Sequence, residues 1–460
     1  MREERIMVRP FEDLQVTDFW SIQEVNAHAR AEIRGMIPYD RRGAYADAGR
    51  KLLWIQIVAV SQKKEETLFY GVADHLKLQV EGGVCMTTIS LTSGTRLMDL
   101  EEHIRSFQSE EFTYKELLDV CCEAYEDGDK IMMTGKGRHI PHFIMQYKET
   151  DWSFIKRLAS MEHIVVFADC STKGVRFHFG IPDRKAGDEE IQDHQIQYDI
   201  EGYWDQKENG SKLRPEDTMS YIWESREIHR LGEAKDVDGL TFVIWKIETT
   251  LKGNELYHTC YMKPRTGLQV PVQHDPHLAG VSLSATVKSV ANDRVQILID
   301  SDEYKDKKRS CWFAFSTVYS SGDGTGWYCM PEVGDIVRLY FPTIKERDAY
   351  VISAYHEEGT ALRTRPERKS WRNKEGKEIQ LSPGYILMTN NDGTYIELSD
   401  EEGIQIATDG SISIYANGSL NLSAGAAIEL SASQEVILKQ GNTRMDLGGD
   451  IVMQGAKVML

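Results

Sequence analysis

The sequence is short of paired cysteines, of basic charge and of long apolar runs, and each shortage closes off a class of protein. Seven cysteines stand at 85, 121, 122, 170, 260, 311 and 329, an odd number with no C-x-x-C spacing. Neither a disulfide framework nor a zinc ribbon is indicated, and the thiols read as reduced, mostly buried small hydrophobes. Lysine and arginine total 54 against 72 aspartates and glutamates, a formal charge of −18. That balance lacks the basic footprint that general nucleic-acid or anionic-membrane binding requires. No apolar stretch approaches the roughly 18 residues of a membrane-spanning helix. Residues 1–10 set charges on both sides of a three-residue apolar run, without the apolar region of a secretory signal, so synthesis and folding in the cytoplasm are expected. Only 12 prolines punctuate 460 residues, a length that predicts about three domains at ~100–200 residues each.

Signatures of catalysis are also scarce. The chain contains no G-x-x-x-x-G-K-[ST], H-E-x-x-H, G-x-S-x-G or complete calcium loop, the patterns that carry phosphate, zinc, nucleophile and calcium chemistry. Asp236-Val237-Asp238-Gly239 reads as a turn. His139-x-x-His142 and His274-x-x-His277 each offer two ligands, with no third nearby in sequence to complete a metal site. Residues 322–326, Gly-Asp-Gly-Thr-Gly, resemble a phosphate cradle in composition, but no helix signal follows, so they read as a loop. Without geometry, no pair among the many carboxylates reads as a glycosidase dyad. Neither catalytic residues nor a metal or cofactor is therefore expected.

What is present is a repeat. Apolar pairs with one residue between them recur as Ile396/Leu398, Ile404/Ile406, Ile412/Ile414, Leu420/Leu422, Ile428/Leu430 and Val436/Leu438. The step is eight residues, with Gly410, Gly418, Ala426 and Gln434 two positions ahead of successive pairs. Each octad predicts a short strand with alternate side chains on one side, followed by a tight turn. A single-chain β-solenoid needs roughly 20 or more residues per coil, because one chain must supply every face. Eight residues make one face and one corner. Three chains wound together would close a triangular prism with the apolar pairs on its axis. Full burial of the twelve side chains would contribute at most ~18–36 kcal/mol per chain, almost none of it accessible to a lone copy. Folding of this segment is thus expected to be coupled to trimer formation. After Val436 the register slips, Met445 and Leu447 take the inward positions, and the apolar end Val458-Met459-Leu460 reads as a blunt surface for a cap.

Upstream, five alternating strands between 281 and 354 predict a small closed barrel of the OB type. Residues 113–180 are mixed: Thr113-Tyr114-Lys115-Glu116 is a capping box, and Tyr114, Leu117, Leu118, Cys121 and Tyr125 form one helical stripe. A second helix is expected to follow Thr150. The flanking regions, about 25–105 and 190–265, are β-rich.

Four stretches carry a resemblance to a known family. Phe69-Tyr70-Gly71-Val72 and Ser90-Leu91-Thr92-Ser93-Gly94-Thr95 look like its first barrel. Gln146-Tyr147-Lys148-Glu149-Thr150-Asp151-Trp152-Ser153-Phe154-Ile155-Lys156-Arg157-Leu158 is similar to its Q-Y-x-E-[ST]-D-x-x-F-[IL]-x-R-L segment, the most specific stretch. Trp327-x-x-Met330-Pro331-Glu332-Val333-Gly334-Asp335-x-Val337 looks like its P-x-V-G-[DQ]-x-V strand. With a β-rich first half, a barrel and an octad rod in that order, nearly the whole chain resembles the VgrG spike proteins of type VI secretion and the hub and spike of contractile phage tails.

The resemblance implies a mainly β fold with an α/β insertion, divided as follows. Residues 1–110 and 186–270 would be two hub β-barrel modules, 111–185 an α/β subdomain and 271–360 the OB barrel. Residues 361–384 would be a linker and 385–460 an intertwined trimeric β-helix. It implies a homotrimer that joins a sixfold inner tube to a threefold membrane-puncturing spike. Its partners would be the tube protein, baseplate proteins and a PAAR-type tip protein bound at Val458, Met459 and Leu460, without nucleic acid. The particle would assemble in the cytoplasm and be ejected to the outside or into a target cell. Some phage spikes carry a lysozyme between barrel and rod and some end in a histidine-liganded iron. Here about 25 residues separate barrel from rod, no histidine follows His356, and no effector domain is expected after the rod. A mechanical part is implied, with a trimeric tail-spike enzyme acting on cell-surface polysaccharide as the alternative.

Overall fold

The computed structural model describes residues 5–61, 64–187, 189, 191, 193–208, 213–237, 239–304, 310–356, 363–447 and 451–454. The chain divides into two compact units, Met1–Glu357 and Glu358–Leu460. The fold is mainly β, with several sheets and one closed five-stranded barrel.

In the first unit the β-rich flanks form one antiparallel sheet. Its strands run in the order Arg5–Arg9, Trp54–Val60, Glu65–Glu81, Val84–Ser93, Arg30–Ile37, Gln15–Glu24, Leu240–Lys252, Glu255–Pro264, Met219–Ser225 and His194–Tyr198. The sequence reading expects two hub β-barrel modules, and in the structure the strands of both regions belong to one sheet. One edge of Leu240–Lys252 pairs first with its hairpin partner Glu233–Val237, then switches to Gln15–Glu24, matching Lys246–Thr250 with Glu24–Trp20. A bulge between Ile244 and Lys246 lies at the switch. An extra residue bends and twists a strand and ends one pairing, and at this bulge the long strand passes from its own hairpin to the N-terminal half.

The mixed α/β region folds as its capping signals dictate. The Thr113 hydroxyl accepts from the Glu116 amide at 3.3 Å while the Glu116 carboxylate accepts from the Thr113 amide at 2.8 Å. The helix Tyr114–Glu123 then buries Tyr114, Leu117, Leu118, Cys121 and Cys122. Thr150 caps the second helix, Asp151–Met161, by accepting from the Ser153 amide at 3.3 Å. Both pack on a three-stranded sheet, Val166–Ala168, Arg176–Phe179 and Asp129–Met132. The strands Ser282–Ala291, Arg294–Ile299, Phe313–Ser316, Tyr350–Tyr355 and Ile336–Tyr340 close the barrel around Val287, Val295, Ile297, Val337 and Leu339. All seven cysteines are free; five are buried and Cys329 is exposed.

The second unit opens with a five-stranded antiparallel meander, Lys369–Arg372, Glu378–Ser382, Tyr385–Thr389, Tyr395–Ser399 and Gly403–Ala407. Two of these strands lie in the stretch read from sequence as a linker. Glu378 holds them, accepting from Arg368 at 3.4 Å, Arg372 at 3.3 Å and the Asn391 amide at 3.2 Å. Within the single chain the first octads pair with each other as antiparallel strands. Asn390 accepts from the amides of Asp392 and Thr394 at 2.8 and 3.0 Å, and Gly393 and Gly403 take φ of +71° and +80°, the left-handed geometry that tight reversals need. The last sheet is a second meander, Val436–Gln440, Thr443–Leu447 and Ile451–Gln454. There Val436 faces Leu447 and Leu438 faces Met445. Val458, Met459 and Leu460 lie outside the described residues.

Candidate functional site

The residues singled out by the octad repeat form an apolar surface that a single chain leaves open. In the first meander, Ile386 faces Leu398, Met388 faces Ile396, Ile396 faces Ile406 and Leu398 faces Ile404. These six side chains share one face, and all are exposed, from 38% at Ile396 to 70% at Ile404. The opposite face, with Tyr385, Tyr395, Glu397 and Gln405, is half-buried. A sheet that turns isoleucine and leucine to water while half-covering glutamate and glutamine inverts the usual preference, and a contiguous apolar patch of this kind marks an interaction surface.

The next stretch has no strand partner among the described residues. Residues 411–432 contain neither helix nor strand; bends fall at 409–410, 417–418, 425–426 and 433–434. The bends repeat every eight residues, as the octads do, so the corners of the repeat are formed while its faces stay unpaired. Every residue from 409 to 435 is exposed, including Ile412 (56%), Ile414 (71%), Leu420 (55%), Leu422 (65%), Ile428 (54%) and Leu430 (66%). Unpaired backbone beside exposed aliphatic side chains is a double cost that one chain cannot remove. Val436 is half-buried and Leu438 exposed at the start of the closing meander.

The segment Gln146–Leu158, the most specific stretch of the sequence, is a buried polar network. Arg105 donates to Asp151 at 2.6 Å and to Gln146 at 3.2 Å; Gln146 and the Tyr125 hydroxyl donate to Asp151 at 3.0 and 2.9 Å. Arg157, itself 2% exposed, donates to Glu149 through Nε and Nη2, to Glu346 at 2.5 Å and to the Met145 carbonyl at 2.7 Å. Burial by itself would lower the Arg157 pKa, but the two carboxylates outweigh it and raise it, so the guanidinium stays charged. Glu346 belongs to the barrel, as do Asp302, which accepts from the Ser106 amide at 3.0 Å, and Glu303, which accepts from the Ile104 amide at 2.9 Å. The motif thus clamps the barrel to the α/β region. Arg105, Asp302, Glu303 and Glu346 carry no signal in the sequence, since their partners stand 41 to 200 residues away.

Gly94 of the other quoted stretch has a steric reason: a Cβ there would lie 2.2 Å from the Gly174 carbonyl oxygen. The candidate metal pairs are not assembled into sites. His139 and His142 each bond a backbone carbonyl, of Glu111 and Phe143, and among the described residues no group of three metal-ligating side chains converges. Among the described residues no helix is long and apolar enough to cross a membrane.

The sheet order ends at Arg5–Arg9 and at His194–Tyr198, each paired on one side only among the described residues; past Val72 the strand Glu65–Glu81 also pairs on one side only.

The fold is similar to that of solved type VI secretion and phage-tail proteins. The solved structures it matches include a component of the Escherichia coli type VI secretion system, c3393, described as similar to the T4 bacteriophage tail proteins gp27 and gp5. The likeness has a TM-score of 0.54 at 16% identity over 76% of this chain and 100% of that one. The lidded PdpA–VgrG complex of Francisella matches with a TM-score of 0.57 at 10% identity, over 89% of this chain and 80% of that one. A lidless PdpA–VgrG complex matches at 0.56 and 10%, over 88% and 98%. No protein-family model and no curated protein matches the sequence.

Proposed function

We propose that the chain is the hub and spike of a contractile injection apparatus, a homotrimer that joins an inner tube to a puncturing rod. The single observation that carries this reading is the stretch 409–435, exposed throughout, with corners every eight residues and no ladder of its own. Two further copies supply both missing elements: strands to complete each face, and a shared axis to bury the octad side chains. The exposed apolar face of the first meander supports the same assembly from the upstream end. The two end strands of the sheet, Arg5–Arg9 and His194–Tyr198, are available for strand pairing between neighbouring copies, as a ring at the end of a tube would use them.

In this role the barrel clamp carries load. Thrust on the ring reaches the stalk through the barrel, and the Arg157 and Arg105 networks tie ring to barrel with charge-assisted bonds. The stalk then acts as a rigid point because its strands belong to three chains at once. The tube and baseplate as partners follow from this reading, and a PAAR-type tip at Val458, Met459 and Leu460 rests on the sequence alone. Electron microscopy of the purified full chain tests it: the reading expects a threefold particle with a wide ring and a narrow stalk, and a globular particle without a stalk overturns it.

A further inference from the structure

The second unit separates its charge onto the two edges of one sheet. Residues 363–377 carry seven lysines and arginines against two glutamates, in a chain whose formal charge is −18. Residues 391–409 carry six aspartates and glutamates and no lysine or arginine. In the five-stranded meander the basic stretch supplies one edge strand, Lys369–Arg372, and the acidic stretch supplies the other, Gly403–Ala407. Each pairs on one side only among the described residues. Arg365, Lys369, Asp400, Glu401 and Glu402 are exposed, and none of the five makes an ion pair among the described residues.

The register of the sheet brings the two edges to one level. Four successive antiparallel pairings make the edge strands run the same way. Lys369, Leu381, Ile386, Leu398 and Ile404 stand in one row across the sheet, and Trp371, Ile379, Met388, Ile396 and Ile406 in another. Both rows lie on the exposed apolar face. Trp371, 57% exposed, ends that face at the basic edge, and Ile406, 59% exposed, ends it at the acidic edge. Arg365 and the turn at 400–402 each precede their edge strand, so opposite charges lie at the same end of the sheet.

We propose that three copies join these edges head to tail, Lys369–Arg372 of one copy pairing in parallel with Gly403–Ala407 of the next. This rests on the trimeric reading and names the contact that closes the trimer where the stalk begins. An isologous contact would set each edge against itself, base on base or acid on acid, and like charges so juxtaposed are costly. A heterologous contact sets the basic edge on the acidic one at every junction and can close as a ring. Five strands ~4.8 Å apart make a wall about 24 Å wide, and a triangle of three such walls leaves about 7 Å from wall to axis, close to the ~5 Å each sheet contributes in face-to-face packing. Four walls would leave about 12 Å and an unfilled centre. Trp371 then packs on Ile406 of the next copy at each corner. The chain also leaves Gly403–Ala407 directly for residues 411–432, which lack a strand partner, so the acidic edge stands where the copies must meet.

The test uses the full chain with Cys329→Ser, which removes the exposed native thiol. Ser370→Cys and Gln405→Cys then place one thiol on each edge at the same level. Treated with a short bismaleimide, the chain carrying both should give a covalent trimer on a denaturing gel, and a chain carrying either one should stay at its own mass. Arg365→Glu with Lys369→Glu, and separately Glu401→Lys with Glu402→Lys, should each raise the concentration for half-assembly at least about tenfold at low salt. The fourfold variant that combines them restores opposite charges at every junction and should return to the wild-type value. Covalent dimers from either single cysteine substitution, a trimeric parent whose paired cysteines do not cross-link, or a fourfold variant no better than the doubles each overturns the proposal and leaves the trimer standing. A monomeric parent chain overturns both.

Discussion

Replacing Ile412 by aspartate probes the octad stalk at its least supported point. In one chain Ile412 is 56% exposed and its neighbours at 411 and 413 have no strand partner, so the substitution should leave an isolated monomer unharmed. In a three-chain prism the same change acts three times at one level of the axis. Each copy forgoes roughly 1–2 kcal/mol of isoleucine burial still to be gained. Each also brings an unpaired carboxylate toward the axis at several kcal/mol. The loss is on the order of 10 kcal/mol or more per trimer, a large part of what any assembly can hold in reserve. Ile412→Val, which removes one methylene per chain at ~0.8 kcal/mol, should assemble normally. Sedimentation velocity distinguishes the two: the aspartate variant should run near the 52.5 kDa chain mass, the valine variant at three times that value. A stable trimer of Ile412→Asp with the stalk intact would refute the reasoning.

Arg157→Leu should destabilise the first unit by about 3–5 kcal/mol, because it strands Glu149 and Glu346 as buried, unpaired carboxylates; the urea midpoint of unfolding reads it. Gly94→Ala should cost more than an ordinary surface change and lower the melting temperature by several degrees, since backbone oxygen of Gly174 blocks the new methyl. The His229 site predicts a pH dependence. Burial would lower the His229 pKa, but its bonds to Glu233 and Glu189 outweigh this and leave it raised. A raised folded-state pKa contributes stability that is fully present below the usual value near 6.5 and is lost as pH rises through the folded value. Wild type should therefore lose stability relative to His229→Gln as pH rises above about 6.5 through the raised folded-state value, and parallel curves would contradict the assignment.

The parts of the molecule that were legible in the sequence are those set by local chemistry. The capping box at Thr113 and Glu116, the cap at Thr150 and the five alternating strands of the barrel all depend on residues a few positions apart. The eight-residue repeat was equally local, and its corners appear as bends at the expected interval. Long-range pairing was not legible. The switch at the Trp245 bulge joins strands more than 200 residues apart, and nothing in either strand announces it. Two strands lie in the stretch read as a linker, and the contacts of Arg368 and Arg372 with Glu378 form only when the fold brings them together. The antiparallel turn at 390–394 was written in Asn390 and Gly393, but the apolar period around it pointed to a continuing prism. The sequence motif at 146–158 was recognised as specific without its reason, because its essential partners Arg105 and Glu346 lie outside it.

The central claim is that the stalk cannot shelter its aliphatic side chains without two more copies of the same chain. Native mass measurement of the wild-type protein at low micromolar concentration tests this most directly. The account predicts a mass three times the 52.5 kDa of one chain; a folded species of one or two chains would contradict it.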